Sequence, residues 1–422
     1  MSQDGDLRRK ARDVATAVAF DLWRRMSTDF PPGRIYLSLS DPIPSTALLF
    51  AELAAYDREW EPRLHSVLTS AASQLRSAPG AGLFAGPMSL GFALHMASIV
   101  TGGYRSAISR LDAEMSGRVL DRLDRGEIAR RLTTGRLDLP DYDVVSGLTG
   151  ILRYFLLDPI RHADAIARLS AALVDIVCAG RPDRPGWTAV NPPVVGTDPT
   201  KFPRGHINVG MAHGAAGILA GLSLAAEKGV EVPGHEKAIS TLADWLVAAK
   251  TDDVRGTAWP AYFAVHQKTG KAATHVAGWC YGTPGIARAL QLANLTIGGA
   301  ARSSSADDAM RAIIARRNPA RSPFEYGLCH GLAGTLHAVW RYAADSPGLL
   351  PHGRLNAISS EIIARFDGNP EAGYRAWSRP DETTRTDDYG FIEGAVGVCL
   401  SLHRFGSGKP PATPWDAALL LA

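Results

Sequence analysis

Cysteine is scarce in this sequence, with only Cys178, Cys280, Cys329 and Cys399 in 422 residues. That is too few and too dispersed for a disulfide framework. Long apolar runs are missing too. No stretch approaches the roughly 20 apolar residues that cross a bilayer, and the opening Met1-Ser2-Gln3-Asp4-Gly5-Asp6 is not a secretory signal, so the expected location is the cytoplasm. Net charge is only +3 and the basic residues are scattered, so no nucleic-acid partner is expected. A cluster at Arg8, Arg9, Lys10 and Arg12 reads as a solvated helix face rather than a membrane anchor. There is no phosphate-cradling motif of the P-loop or dinucleotide type.

What is present is a globular composition, 46% hydrophobic and 21% charged, and an internal repeat. After two leading helices, expected at 7–28 and 45–56, an amphipathic helix with Leu64, Val67, Leu68, Ala71 and Leu75 runs into a glycine-rich turn and then an apolar helix. The unit recurs with Gly-x-x-Gly turns beginning at Gly147, Gly214, Gly282, Gly331 and Gly394, at intervals of 67, 68, 49 and 63 residues. A less regular copy lies around Gly86 and Gly91. Helices before the later turns are amphipathic, as in 165–179, 237–249, 307–314 and 357–366, and those after them are apolar on all sides. The first kind faces water and the second is buried. Six inner helices within six outer ones make an all-α fold, an α/α toroid, read here as one domain over 1–422. Glycine at the turns suits close backbone approach and positive φ. Segments 181–208 and 255–275 are candidates for a small β-containing insertion, the second through the strand-like run Trp259 to His266. Residues 368–389 read as a long loop before the sixth turn.

If the turns converge at one mouth, they bring together Asp143, His213, Cys280 with Tyr281, Cys329 with His330, and Glu393. Two thiolates and an imidazole are a natural three-ligand set for Zn²⁺, and three protein ligands leave the fourth position open for catalysis. Cys280 and Cys329 lie 49 residues apart, so the fold must assemble the site. Thr283-Pro284 reads as a cap followed by proline at the first helical position, which places Cys280 just outside a helix N-terminus, where a thiolate is favoured. His213 is either a fourth ligand or an acid/base group, and Asp143 could simply cap its turn. Cys178 and Cys399 fall within apolar helical patterns and are expected to be buried.

The segments 202–214 (Phe-Pro-Arg-Gly-His-Ile-Asn-Val-Gly-Met-Ala-His-Gly), 278–282 (Gly-Trp-Cys-Tyr-Gly) and 327–331 (Gly-Leu-Cys-His-Gly) resemble the lanthionine synthetase C-like family, the cyclases of class I lanthipeptide biosynthesis. The resemblance covers about residues 80–405. It implies an α/α toroid, in some members with a small SH2-like β insertion, and a central zinc on Cys280, Cys329 and His330. It further implies His213 as acid/base, Asp143 as its assistant, and Trp279 and Tyr281 as an auxiliary aromatic pair. The implied reaction is addition of cysteine thiols to dehydroalanine or dehydrobutyrine in a dehydrated precursor peptide. A dehydratase and an exporter are implied partners, with peripheral attachment to the membrane through such a complex. One departure is Val276, where some members carry an arginine; His275 is a candidate substitute.

Three other readings compete. A glycosidase could use Asp143, Glu325 and Glu393 but has no need of Cys280, Cys329 and His330. A family member without cyclase activity would bind glutathione or act as an adaptor. A zinc-stabilised scaffold would close its site with His213.

Overall fold

The computed structural model describes residues 3–26, 37–75, 80, 82–181, 183–193, 198–254, 256–265, 278–315, 326–349, 353–366, 375–377, 385–387 and 389–422. Val276, His275, Glu325 and most of the 368–389 loop lie outside them. The chain forms two compact units, one of Met1–Gly80, Phe84–Leu111 and Arg316–Trp415, the other of Ala81–Leu83, Asp112–Ala315 and Asp416–Ala422. Among the described residues no helix is long and apolar enough to cross a membrane.

In chain order the helices are α1 (Gln3–Arg25), α2 (Pro42–Ala54), α3 (Trp60–Ser73), α4 (Pro87–Thr101), α5 (Arg105–Asp124), α6 (Glu127–Thr133), α7 (Leu139–Tyr142), α8 (Leu148–Phe155) and α9 (Ala163–Cys178). They continue with α10 (Ala215–Glu227), α11 (His235–Ala249), α12 (Thr283–Ile297), α13 (Ala300–Ala315), α14 (Leu332–Asp345), α15 (Arg354–Ala364) and α16 (Ala395–Ser407).

The glycine-turn helices are the buried ones. In α10 every residue from Ala215 to Ala225 is buried, and in α16 every residue from Ala395 to Gly406. Their partners bury one stripe, as α11 does with Ala238, Ile239, Leu242, Ala243 and Leu246. An all-round apolar helix can sit only among other helices, whereas a one-stripe helix needs water on its far side. In the second unit α8 packs on α10 and α10 on α12; in the first, α14 packs on α16.

The leading segment is more than a preface. Helix α2 is buried from Ile43 to Ala54 and packs against both α4 and α16, while α1 lies along α16 and α15. Among the described residues it is therefore a further all-round-buried helix, with the one-stripe helix α3 packed on it. Its turn shares the turn-to-turn bonding of the repeat: Leu39 N–H donates to Phe84 O at 2.9 Å, and Phe391 N–H donates to Leu39 O at 3.1 Å. Leu37, Asp41 and Pro44 occupy the positions where other copies carry glycine, which hides the relationship in the sequence.

The glycines act through close approach. The cap glycines Gly147, Gly214, Gly282, Gly331 and Gly394 all have extended, negative φ; only Gly86 is at positive φ. Three residues into each helix, a Cβ on Gly150, Gly217, Gly285, Gly334 or Gly397 would fall 1.9–2.2 Å from the carbonyl oxygen six residues earlier. A further glycine stands four residues before the cap, at Gly82, Gly210, Gly278, Gly327 and Gly390, with Asp143 as the exception. Where it packs on the following turn, as Gly82 does on Val145 and Ser146, a Cβ would meet backbone at 2.4–2.8 Å.

The described strands are β1 (His206–Asn208), β2 (Thr251–Asp253), β3 (Gly256–Ala258), β4 (Tyr262–Ala264), β5 (Arg375–Trp377) and β6 (Arg385–Asp387), paired β1–β4, β2–β3 and β5–β6, all antiparallel. The pair β1–β4 joins the two segments read as β-containing, with His206 opposite Ala264. Cys399 is fully buried and its thiol is pushed up by burial, whereas Cys178 is exposed at the last turn of α9, against expectation, because it stands on the solvent face with Asp175 while the stripe stays buried at Ile176 and Val177.

Candidate metal and acid/base centre

The candidate residues sit in the turns just before buried helices. In the second unit, the turn before α8 begins with Asp143, at the end of α7. Its Oδ1 accepts from Ser146 N–H at 2.7 Å and from Gly147 N–H at 2.8 Å, so it does cap its own turn. Its other oxygen does something else: Oδ2 lies 2.6 Å from His213 Nδ1. An ionised carboxylate can only accept, so beside it Nδ1 carries the proton and Nε2 the lone pair of a neutral His213. The Asp143 side chain is 3% exposed and that of His213 is 28% exposed, so the imidazole is reachable and its partner is not. Asp143 holds the position that is glycine in the other copies with a cap glycine. A side chain there reaches into the following turn, where a glycine would let backbone approach.

Backbone bonds carry the register onward. Val144 N–H donates to Ala212 O at 3.0 Å, and Ala212 N–H donates to Cys280 O at 3.2 Å. Gly210 permits this, since a Cβ there would fall 2.2 Å from Cys280 O. The residues just before two successive cap glycines are thereby set side by side, and the rings of His213 and Tyr281 lie 5.9 Å apart at a tilt of 34°.

Cys280 is buried two residues before the cap of α12. That cap is Gly282 rather than Thr283: the helix starts one residue earlier than its sequence suggests, Pro284 sits in its first turn, and the Thr283 hydroxyl is buried without a partner. Trp279 is fully buried, and its indole N–H donates to Leu419 O at 2.7 Å, which fastens the turn carrying Cys280 to the C-terminal segment. Beside this group the Tyr142 phenol is held well above the ordinary tyrosine value by burial, and next by the Asp143 carboxylate, so it stays neutral.

In the first unit, the turn before α14 carries Cys329 and His330. Cys329 N–H donates to Ile392 O at 2.9 Å, the same bond between successive turns, and His330 Nδ1 lies 3.4 Å from Glu393 Oε1. The ligand atoms of Cys280, Cys329 and His330 all lie within 4.8 Å of one another. Zn–S bonds of about 2.3 Å and Zn–N bonds of about 2.0–2.1 Å place tetrahedral ligand atoms roughly 3.5–3.8 Å apart, inside that bound, so the donor set fits zinc. His213 is not in the group. The glycosidase candidate Glu325 lies outside the described residues. The spacing four residues before each cap glycine was the signal overlooked in the sequence, and it explains why Asp143 reaches His213.

Comparison with known proteins agrees with this reading of the fold. A search of curated proteins finds the nisin biosynthesis protein NisC of Lactococcus lactis subsp. lactis, 24% identical over 406 residues, covering 91% of this chain and 89% of that protein. Among solved structures, a nisin cyclase superimposes with a TM-score of 0.75 at 21% identity, covering 97% of each chain. This likeness shows the fold, the expected α/α toroid with small strands. The family model described as lanthionine synthetase C-like protein matches residues 35–420. With that match spanning nearly its whole length, the chain belongs to the lanthionine synthetase C-like family.

Proposed function

We propose that this protein is a zinc-dependent lanthipeptide cyclase, closing thioether rings by adding cysteine thiols to dehydroalanine or dehydrobutyrine within one dehydrated precursor peptide. The observation that carries the reading is the grouping of Cys280, Cys329 and His330, in a chain that also holds the His213–Asp143 pair on the turn before that of Cys280. Its relative in nisin biosynthesis points to the same substrate class.

Zinc, held by these three residues, would supply Lewis acidity and favour the thiolate form of a substrate cysteine near neutral pH. The chain's own residues do the rest. As the substrate sulfur adds to the β-carbon, the double-bond electron pair moves toward the α-carbon and its carbonyl, and His213 Nε2 takes the proton that the thiol gives up and returns it to the α-carbon. Asp143 fixes the tautomer and stabilises the charged imidazole, while Tyr281 packs beside His213 and Trp279 anchors the turn of Cys280. The proton lost by sulfur equals the one gained by carbon, so the product is an isomer of the substrate and no redox cofactor enters. A dehydratase must act first to create the dehydro residues.

Because mass does not change, the test reads thiols. A dehydrated class I precursor is incubated with the zinc-loaded protein, then alkylated and weighed. We expect loss of alkylatable cysteines with the wild type and full alkylation with Cys329→Ala. Full alkylation with both, while zinc remains bound, would leave the chain as a thiol-binding member of the family.

A further inference from the structure

One carboxylate at the candidate centre has no part in the mechanism above. Glu393 is the residue just before the cap glycine of α16, and His330 stands in the same position before α14. The fold sets such residues in pairs. Gly327 lets its turn lie directly on the next one, since a Cβ there would come within 2.8 Å of Glu393 Cα and of the carbonyl oxygens of Ile392 and Glu393. The Cys329 N–H bond to Ile392 O then fixes the register. In the second unit, Gly210 and the Ala212 N–H bond to Cys280 O do the same for His213 and Tyr281. In the first unit the paired side chains are an imidazole and a carboxylate, with His330 Nδ1 3.4 Å from Glu393 Oε1.

We propose that Glu393 is a positioning residue for His330: its carboxylate accepts the Nδ1–H and so presents Nε2 to the metal. This rests on the metal centre proposed above. A neutral imidazole has one N–H and one lone pair, and a partner that can only accept decides which nitrogen is which. A carboxylate behind a ligating histidine also raises its basicity and holds its ring plane. The pair is not there for folding. The side chains of His330 and Glu393 are 27% and 40% exposed, and ion pairs that solvent reaches add little to stability.

The test measures zinc affinity by competition with a chromogenic chelator in the wild type, Glu393→Ala and Glu393→Gln, alongside thermal unfolding of each metal-free protein. Glu393→Ala should weaken zinc binding by about 10- to 100-fold. Glu393→Gln, which keeps an acceptor oxygen, should weaken it less, and the three metal-free proteins should unfold together. Unchanged zinc affinity in Glu393→Ala overturns the proposal, as does a matching fall in the stability of the metal-free protein, which would make the role structural. A wild type that binds no zinc removes the metal reading itself, and does so before any substitution is compared.

Discussion

Asp143 has two oxygens with two jobs, one capping its own turn and one holding His213 Nδ1. Both readings could be drawn from the sequence, but nothing in the residue types says that they coexist. The second appears only once the spacing of the turns is known. Cys280, Cys329 and His330 were legible because chemistry-bearing side chains stand at fixed offsets from cap glycines. The resemblance implies an auxiliary role for Trp279, whereas its indole N–H donates to Leu419 O, 140 residues downstream, a partner that local pattern cannot reveal. The assignment of His213 makes a kinetic prediction. His213→Ala should keep its zinc and lose about 10²- to 10⁴-fold in the rate of ring closure, the usual worth of a positioned acid/base group. A rate within a few-fold of wild type, measured by thiol alkylation over time, would transfer the proton delivery to another group.

Glycine spacing defines the elements, and its cause is backbone contact. A Cβ on Gly334 would fall 1.9 Å from Leu328 O, an oxygen that cannot move without shifting the turn that carries Cys329. Gly334→Ala should therefore cost roughly 3 kcal/mol or more, in the upper range for overpacked sites. Gly117, inside α5 with nothing within 4 Å of an added Cβ, is the control: Gly117→Ala should stabilise by about 0.5–1 kcal/mol, because it only removes unfolded-state freedom. Equal effects in denaturant unfolding would show that the turn glycines are not packing against backbone. Helix α2 marks the limit of reading by motif. Leucine, aspartate and proline replace its glycines, so only its burial and its turn-to-turn bonds identify it.

Over the whole molecule, each unit uses the same device, a backbone bond between successive turns that lines up the residues before their cap glycines. Local sequence encodes the turns, whereas the C-terminal closure of the second unit is long-range. There Leu419, Leu420 and Leu421 are buried, and the backbone oxygens of Leu419 and Leu421 receive the Trp279 and Arg288 donors. The proposed function needs Cys280, Cys329 and His330 to hold zinc without His213, which is not part of that group. Elemental analysis of zinc in purified wild type, Cys329→Ala and His213→Ala tests this most directly. About one zinc per chain in the wild type, lost in Cys329→Ala and kept in His213→Ala, is the predicted result, following from three ligands with an open fourth position. Zinc absent from a wild type prepared without chelators, or lost from His213→Ala, would contradict it.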